Sequence, residues 1–189
     1  MKQKLLAWKL SIWSRMILWR YRPTIIAITG NAGKTTTKEA IAAVLATKYR
    51  VRATGGNLNN ELGIPATIIG DFSEQYYRTG GTFPFWFKVL TAAVRVAVYD
   101  STYPQVLVLE FGADRPGDIK RLARMFPPHI AVVTQVGDIP VHVEYFASPK
   151  ELAAEKAQIL KHLLPTDYAI LGYDDLTVLE MRETTNGRT

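Results

Sequence analysis

Uninterrupted apolar runs along this chain alternate with longer segments whose apolar residues recur every three or four positions. Short continuous runs are typical of strands buried on both faces of a parallel sheet, whereas the wider spacing is typical of helices that pack on it. The predicted strands cover residues 25–29, 49–54, 105–114, 130–134 and 168–171, and the predicted helices cover 35–45, 86–99, 116–125 and 149–163. This alternation predicts an α/β fold with a doubly wound, mostly parallel sheet. Gly80, Gly81 and Pro84 predict a loop ahead of the second helix.

The first 22 residues form a separate segment that is predicted to be an amphipathic helix. It carries Trp8, Trp13 and Trp19, and at about 100° per residue its positive charges fall into two stripes with apolar strips between them. Such a helix suits either the headgroup region of an anionic membrane or a docking position on the domain or on a partner. Lys9 and Arg15 interrupt the apolar residues too early for a spanning helix, and no small-residue cleavage site of a secretory signal follows.

The positive charge of the chain is concentrated in that segment. The formal net charge is +6, and residues 1–22 contain six basic residues and no acidic residue, so that 17 basic and 17 acidic residues remain from Pro23 onward. A neutral domain excludes a general nucleic-acid-binding surface as the meaning of the basic composition. The 189 residues, 48% of them apolar, suffice for one domain with a substantial core, and the absence of cysteine excludes disulfides, which fits the cytoplasm.

The strand predicted at 25–29 runs directly into a glycine-rich turn that ends in Gly-Lys-Thr. In phosphate-binding loops, backbone N–H groups, the start of the next helix and a lysine ammonium converge on phosphate oxygens, while a hydroxyl ligates Mg²⁺. The residues in these positions are Gly30, Asn31, Ala32, Gly33, Lys34, Thr35 and Thr36. Ile28 stands where the general pattern has its first glycine, so the loop is a variant. The alternative is a glycine turn that only links a strand to a helix.

Other polar residues follow predicted strands and are expected at the same sheet edge as the loop. Glu110, at the end of an apolar run, is a candidate Mg²⁺ ligand. His142 follows the next strand, although a lone histidine is more often structural. Asn57 and Asn60 lie in a polar loop at 55–65, and their carboxamides suit nucleotide, metal-bound water or substrate. Turn formation alone is the alternative for these asparagines, since asparagine tolerates the left-handed backbone region.

Five ordered motifs together resemble the central ATPase domain of Mur ligases, in particular the type that adds D-alanyl-D-alanine to a UDP-MurNAc peptide. The motifs are residues 29–36, 56–65, 110–114 and 141–146, followed by Ala154-Glu155-Lys156. The resemblance covers the chain from Pro23 onward. The variant first glycine of the loop is a feature of this family.

The resemblance implies an ATP-dependent ligase that forms amide bonds in peptidoglycan precursor synthesis through an acyl phosphate. The implied partners are ATP, bound by the loop at 30–36 with Asn57 and Asn60, a UDP-MurNAc-peptide and D-alanyl-D-alanine. Transfer of a phosphoryl group needs charge neutralisation and in-line positioning, for which a lysine and Mg²⁺ are suited.

The resemblance also implies the roles of individual site residues. Lys34 would contact phosphate, and Thr35 and Glu110 would hold Mg²⁺. His142 would help to hold a second Mg²⁺. Lys156 matches a lysine that the family carbamylates, which turns a cation into a carboxylate-like metal ligand.

The predicted domain organisation is a basic helical arm at 1–22 and a Mur-ligase-like ATP-binding domain at 23–189. Complete ligases of this type also contain an N-terminal domain for the UDP-sugar and a C-terminal domain, so we expect the second unit to be truncated at its C-terminus. The expected location is the cytoplasm, with peripheral contact at the inner face of the membrane through the arm as a hypothesis.

An alternative function is a non-catalytic ATP-binding module that regulates or docks on a partner or on a membrane. A small kinase or a partition-type ATPase is disfavoured, because neither needs the asparagine loop, His142 and Lys156 together.

Overall fold

Five parallel strands form the sheet in the described part of this protein. The computed structural model describes residues 2–137, 145–146 and 148–189. The strands are β1 (Thr24–Thr29), β2 (Val51–Ala53), β3 (Val106–Glu110), β4 (Ile130–Val133) and β5 (Tyr168–Leu171). Their order across the sheet is β2-β3-β1-β4-β5, and each pair of neighbours is parallel. The predicted α/β fold with a parallel sheet is therefore confirmed.

The first strand lies at the centre of the sheet. On β1, Ile28 pairs with Glu110 of β3 on one side and with Val132 of β4 on the other. The chain thus continues to one side of β1 and later returns to its other side. In doubly wound sheets, ligands bind in the crevice outside the carboxyl end of the strands at such a reversal. This topology places the glycine-rich loop after β1 at the expected binding position.

Eight α-helices surround the sheet within the described residues. They are α1 (Lys2–Tyr21), α2 (Lys34–Ala46), α3 (Gly63–Ile69), α4 (Ser73–Thr79), α5 (Phe83–Val98), α6 (Asp118–Met125), α7 (Pro149–Lys156) and α8 (Leu176–Glu180). A 3-10 helix at Ala157–His162 continues α7, and another at Met181–Thr184 continues α8.

The two faces of the sheet are covered unequally. Along β1, Ile25 and Ala27 belong to the larger core, whereas Ile26 and Ile28 belong to a smaller core on the opposite face. The smaller core is closed by α2, through Ile41, Ala42 and Leu45. The larger core contains side chains from α1, α3, α5 and α6. The helix that starts at the glycine-rich loop therefore packs directly on the strand that precedes the loop.

The N-terminal helix α1 packs on the rest of the domain, against α3 and α5. Leu10, Ser14 and Ile17 of α1 are completely buried. The Ser14 hydroxyl donates a hydrogen bond to the Pro65 carbonyl oxygen at 3.2 Å. One side of the predicted amphipathic helix is thus docked on the domain, as one of the two sequence-based interpretations proposed. No helix in the described part of the chain combines the length and the apolar character needed to cross a membrane.

Several element boundaries differ from those predicted. The helices α3 and α4 were not predicted, and all seven residues of α3 are buried, so it has no polar face to produce a helical pattern. Pro84 lies in the first turn of α5 rather than in a loop, a position that proline tolerates because the N–H there needs no intrahelical partner. The helix predicted at 149–163 changes to a 3-10 helix after Lys156.

Candidate functional site

The glycine-rich loop connects β1 to α2 through two glycines with positive φ. Gly30 has a φ of +145° and Gly33 a φ of +79°, a region that residues with a side chain rarely adopt. A Cβ atom on Gly30 would also collide with the Thr134 hydroxyl. Because α2 begins at Lys34, the unpaired N–H groups of its first turn lie at the end of this loop. The loop therefore has the backbone geometry of an anion site at a helix N-terminus.

The end of β4 holds the loop in place. The backbone N–H groups of Asn31 and Ala32 both donate to the Gln135 carbonyl oxygen, at 2.6 and 3.3 Å. The Thr134 hydroxyl donates to the Ala32 carbonyl oxygen at 2.7 Å, and the Asn31 side-chain amide donates to the Val136 carbonyl oxygen. Asn31 thus uses its backbone and side-chain N–H groups to position the loop.

The Lys34 side chain folds back over the loop. Its ammonium donates a hydrogen bond to the Asn31 carbonyl oxygen at 3.1 Å, and the side chain is only partly buried. The positive charge therefore lies at the mouth of the loop. An anionic oxygen bound there would replace the neutral Asn31 carbonyl as the partner of the ammonium.

Glu110 is the centre of the polar contacts beside the loop. Its carboxylate is 3% exposed and accepts a hydrogen bond from the Thr35 hydroxyl at 3.0 Å and one from the Asn59 side-chain amide at 3.3 Å. The Lys38 ammonium lies 3.9 Å from the same carboxylate, and its side chain is also buried. The structure thus brings Thr35 and Glu110 together, as the sequence predicted.

Two of these contacts, those of Lys38 and Asn59, were not predicted from the sequence. A signal for Lys38 was present, because it lies three residues after Thr35 and four after Lys34, so helix geometry places all three on one face of α2. Nothing in the sequence distinguished Asn59 from Asn57 or the other loop asparagine. The 55–65 loop lies against the end of β3, where the Asn59 carbonyl oxygen accepts a hydrogen bond from the Gly112 N–H at 2.8 Å. This contact places the Asn59 side chain beside Glu110.

The predicted loop asparagines have other contacts. Asn57 is exposed, and its backbone N–H donates to the Tyr77 hydroxyl. The Asn60 side-chain oxygen accepts from the N–H groups of Leu62 and Gly63, at 3.1 and 3.0 Å, at the start of α3. Their contact with a nucleotide stays a prediction.

Lys156, at the end of α7, is almost completely buried within electrostatic reach of this site. Burial, the larger cause, and the positive charge of Lys34 lower the pKa of Lys156 to about 8, against the opposing effect of the negative charges of Glu155, Asp114 and Glu110. A lysine with a lowered pKa has a larger neutral fraction at physiological pH and is more nucleophilic. The structure therefore joins Lys156 electrostatically to Lys34 and Glu110.

Glu155 fixes the helix that carries Lys156. Its buried carboxylate accepts hydrogen bonds from the backbone N–H groups of Gly117 at 2.9 Å and Ile119 at 2.7 Å. These groups belong to the first turn of α6, where a negative charge also interacts favourably with the helix dipole.

The predicted ligand His142 lies outside the described residues. Just ahead of that segment, the N–H groups of Val136 and Gly137 each donate to the Asp175 carboxylate at 2.8 Å. Partial burial alone raises the pKa of Asp175, but the hydrogen bonds from Gly137, Val136 and Val178 outweigh it and hold this pKa below its ordinary value. Asp175 thus fixes the backbone at Val136 and Gly137, directly before residues 138–144 in the chain.

Thr35 and Glu110 fit a magnesium ion. Mg²⁺ is usually held by one or two protein oxygens, while phosphate and water oxygens complete an octahedron with bonds of about 2.0–2.1 Å, whose edges are about 2.9 Å. The separation of the Thr35 hydroxyl and the Glu110 carboxylate oxygen, 3.0 Å, matches such an edge. No group of three or more His, Cys, Asp or Glu side chains suited to a metal occurs among the described residues, so this pair needs oxygens from elsewhere.

A groove of about 1030 Å³ lies beside the site, between the N-terminal half of α1 and α6. Ser11 of α1 and Arg121 of α6 line it, together with Gly112 and Asp114. Because Gly112 and Asp114 follow Glu110 directly in the chain, the groove leads to the carboxyl end of β3.

Comparison with known proteins gives a consistent result. The family model for the Mur ligase middle domain matches residues 28–75 and 90–189. The chain is 34% identical over 139 residues to the UDP-N-acetylmuramoyl-tripeptide--D-alanyl-D-alanine ligase of Bacillus subtilis (strain 168), covering 74% of this chain and 24% of that protein. It is 34% identical over 165 residues to the protein of the same name from Mycobacterium leprae, covering 87% of this chain and 26% of that protein.

Among solved structures, the MurF ligase of Thermotoga maritima in complex with ADP superimposes with a TM-score of 0.72 at 30% identity, covering 96% of this chain and 35% of that chain. This chain spans about a quarter of the length of the curated relatives it matches.

Proposed function

The chain belongs to the Mur ligase family, and we propose that it provides the nucleotide-binding domain of an ATP-dependent amide ligase of peptidoglycan precursor synthesis. The observation that carries the proposal is the contact between the Thr35 hydroxyl and the buried Glu110 carboxylate, at 3.0 Å, beside the glycine-rich loop. That pair joins a phosphate site to a magnesium site, which phosphoryl transfer requires. The ADP bound to the Thermotoga maritima relative supports nucleotide as the ligand.

Each residue of the site has a proposed task. The loop N–H groups and the Lys34 ammonium hold the phosphates, and Thr35 and Glu110 hold Mg²⁺, which when bound would neutralise charge on the transferring phosphoryl group. Lys38 and Asn59 fix the Glu110 carboxylate in the orientation that faces Thr35.

The proposed reaction has two steps. A carboxylate oxygen of the acid substrate attacks the γ-phosphorus of ATP, the bond to the β,γ-bridging oxygen breaks, and an acyl phosphate and ADP result. The amine of the second substrate then attacks the acyl carbon, inorganic phosphate leaves, and the amine loses a proton as the amide forms. By the names of the relatives, the acid is a UDP-MurNAc-tripeptide and the amine is D-alanyl-D-alanine. The groove between α1 and α6 is the proposed approach for the acid, because it reaches the end of β3.

Lys156 is proposed to carry a carbamate. A neutral lysine amine adds to CO₂ and releases one proton, and the lowered pKa of about 8 increases the neutral fraction. The product is an anion, so its interaction with Lys34 changes from repulsion to attraction. A carbamate there would supply oxygen ligands of the kind that Mg²⁺ prefers, as His142 is proposed to supply a nitrogen ligand. The cytoplasm, where ATP is available, is the proposed location.

Calorimetry with ATP and Mg²⁺ tests the nucleotide site. We expect binding by the wild type, and loss of binding in Lys34→Ala but not in the matched control Lys48→Ala, whose side chain is exposed beyond the end of α2. A folded wild type that binds no nucleotide contradicts the proposal.

Measurement of phosphate release during turnover distinguishes a ligase from the alternative function, a non-catalytic ATP-binding module. A chain with the remaining ligase domains should release phosphate from ATP only when both acid and amine are present. Binding without amine-dependent phosphate release would favour the regulatory module instead.

A further inference from the structure

The N-terminal helix has a second apolar side that does not contact the domain. We name it the outer strip, and its members are Leu5, Trp8, Ile12, Met16 and Trp19. Each is between 40 and 74% exposed. The strip is a continuous row, because its members are three or four residues apart.

The outer strip lies opposite the docked side of α1. At about 100° per residue, Leu10 and Ile17 point to one side of the helix and Ile12 and Trp19 point to the other. The first pair is completely buried and the second pair is exposed. Packing on α3 and α5 therefore accounts for one side of α1 and leaves the five apolar residues of the outer strip in contact with solvent.

Basic residues border the outer strip on both sides. Lys4 and Arg15 lie along one border and Lys9 and Arg20 along the other, and all four are exposed. The sequence of α1 contains no acidic residue. Over the part of the chain that the structure describes, none of these four cations forms an ion pair. The charge that would complement this helix is therefore not supplied by its own domain.

The neighbouring helix α5 has the same character. Phe83, Phe87 and Val98 of α5 are at least 60% exposed, and its two charged residues, Lys88 and Arg95, are basic. Two adjacent helices thus expose aromatic and aliphatic side chains together with positive charge alone.

We propose that the outer strip of α1 binds the surface of an anionic phospholipid bilayer, with the helix axis in the membrane plane. Tryptophan prefers the boundary between headgroups and acyl chains. The apolar strip suits the acyl chains just below that boundary, and the lysine and arginine residues beside it suit the anionic headgroups.

A second copy of this chain is a less suitable partner, because a symmetric contact through the strip would bring the basic residues of both copies together. The groove between α1 and α6 is lined by Ser11 and also by Trp8 and Lys4, so the outer strip begins at one edge of that groove.

Co-sedimentation with vesicles tests the proposal. We expect the chain to sediment with vesicles of phosphatidylcholine mixed with phosphatidylglycerol, to stay in solution with phosphatidylcholine alone, and to be released at about 1 M salt, where the screening length falls to about 3 Å. In vesicles with brominated acyl chains, quenching of the tryptophan fluorescence should accompany binding, and Trp19→Ser should reduce this quenching.

Point variants are preferable to removal of α1, because removal would expose the buried contacts of Leu10 and Ile17. The triple variant Lys9→Gln, Arg15→Gln, Arg20→Gln should bind about 100-fold more weakly. Its matched control, Lys120→Gln, Lys161→Gln, Arg182→Gln, changes three exposed cations elsewhere and should bind like the wild type.

The apolar contribution is tested in the same way. Ile12→Ser with Trp19→Ser should weaken binding more than about tenfold, whereas Leu164→Ser with Tyr173→Ser, which alters exposed side chains away from α1, should not.

Three results would overturn the proposal. They are a wild type that stays in solution with anionic vesicles at low salt, strip variants that bind as well as their controls, and a wild-type dimer that Trp19→Ser dissociates. The last result, measured by analytical ultracentrifugation, would assign the outer strip to a second copy.

Discussion

Replacing Glu155 by glutamine tests how the helix that carries Lys156 is held. The buried carboxylate accepts from Gly117 and Ile119 at the first turn of α6, at 2.9 and 2.7 Å. Glu155→Gln keeps the shape but removes the charge and converts one acceptor oxygen into a donor. A longer bond from the Lys120 N–H, at 3.4 Å, ends on the same oxygen as that of Ile119. At least one of the three hydrogen bonds is therefore lost, and an amide N–H group faces a backbone N–H group.

The magnitude follows from these contacts. A hydrogen bond to a charged group contributes about 1.5–3 kcal/mol, and a negative charge at a helix N-terminus adds about 0.3–1 kcal/mol. The free energy of unfolding should therefore fall by about 3 kcal/mol. In a protein of this size each kcal/mol lowers the Tm by about 2–4 °C, so the Tm should fall by about 6–12 °C.

Urea unfolding followed by circular dichroism measures the loss. The control is Glu183→Gln, which changes an exposed carboxylate near the C-terminus and should alter stability by less than about 0.5 kcal/mol. A loss below about 1 kcal/mol in Glu155→Gln, or an equal loss in the control, would refute the assigned role. A second readout is the pKa of Lys156, which should fall in Glu155→Gln because the Glu155 charge raises it, as an NMR titration can measure.

Three further predictions concern the site and its surroundings. Lys38→Met leaves the buried Glu110 carboxylate without its cation and should reduce the free energy of unfolding by about 3–5 kcal/mol; chemical denaturation should show partial recovery in the double variant with Glu110→Gln. Thr35→Val removes the hydroxyl that donates to Glu110 and should weaken Mg²⁺-dependent ATP binding about 10–100-fold, while calorimetry without Mg²⁺ should show little change. The folded-state pKa of Asp175 is depressed, so its carboxylate stabilises the fold above the unfolded value of about 3.9 and this contribution is lost as the pH falls through the folded value; acid unfolding curves of Asp175→Asn should therefore be flatter below about pH 4, and curves identical to those of the wild type would contradict the assignment.

The parts of the fold that the sequence predicts are those with a strong local pattern. The last strand was predicted with the observed bounds, Tyr168–Leu171, and the loop from Gly30 to Thr36 was identified because glycine, lysine and threonine each meet a chemical requirement of phosphate binding. Glu110 was predicted at the carboxyl edge of the sheet because it ends a continuous apolar run, and β3 does end there.

The parts that escaped prediction depend on contacts distant in sequence. The helix α3 is buried on all sides, so its pattern resembles a strand as much as a helix. Asn59 reaches Glu110 across a separation of 51 residues, and no local feature marks it among its neighbours. The side of α1 that docks and the side that stays exposed are both apolar, so only the packed structure distinguishes them.

The central position of β1 also has a consequence for the order in which this protein folds during synthesis. β1 is the first strand made, yet its neighbours are β3, whose Glu110 pairs with Ile28, and β4, whose Ile130 pairs with Ile26. At about 5–20 residues per second, the ribosome needs several seconds to deliver even the nearer partner. The apolar strand therefore has no strand partner in the early nascent chain, and the glycine-rich loop, which is held by Thr134, Gln135 and Val136, forms only after β4 has been made. Nucleotide binding by a newly made chain would thus report that β4 has paired with β1.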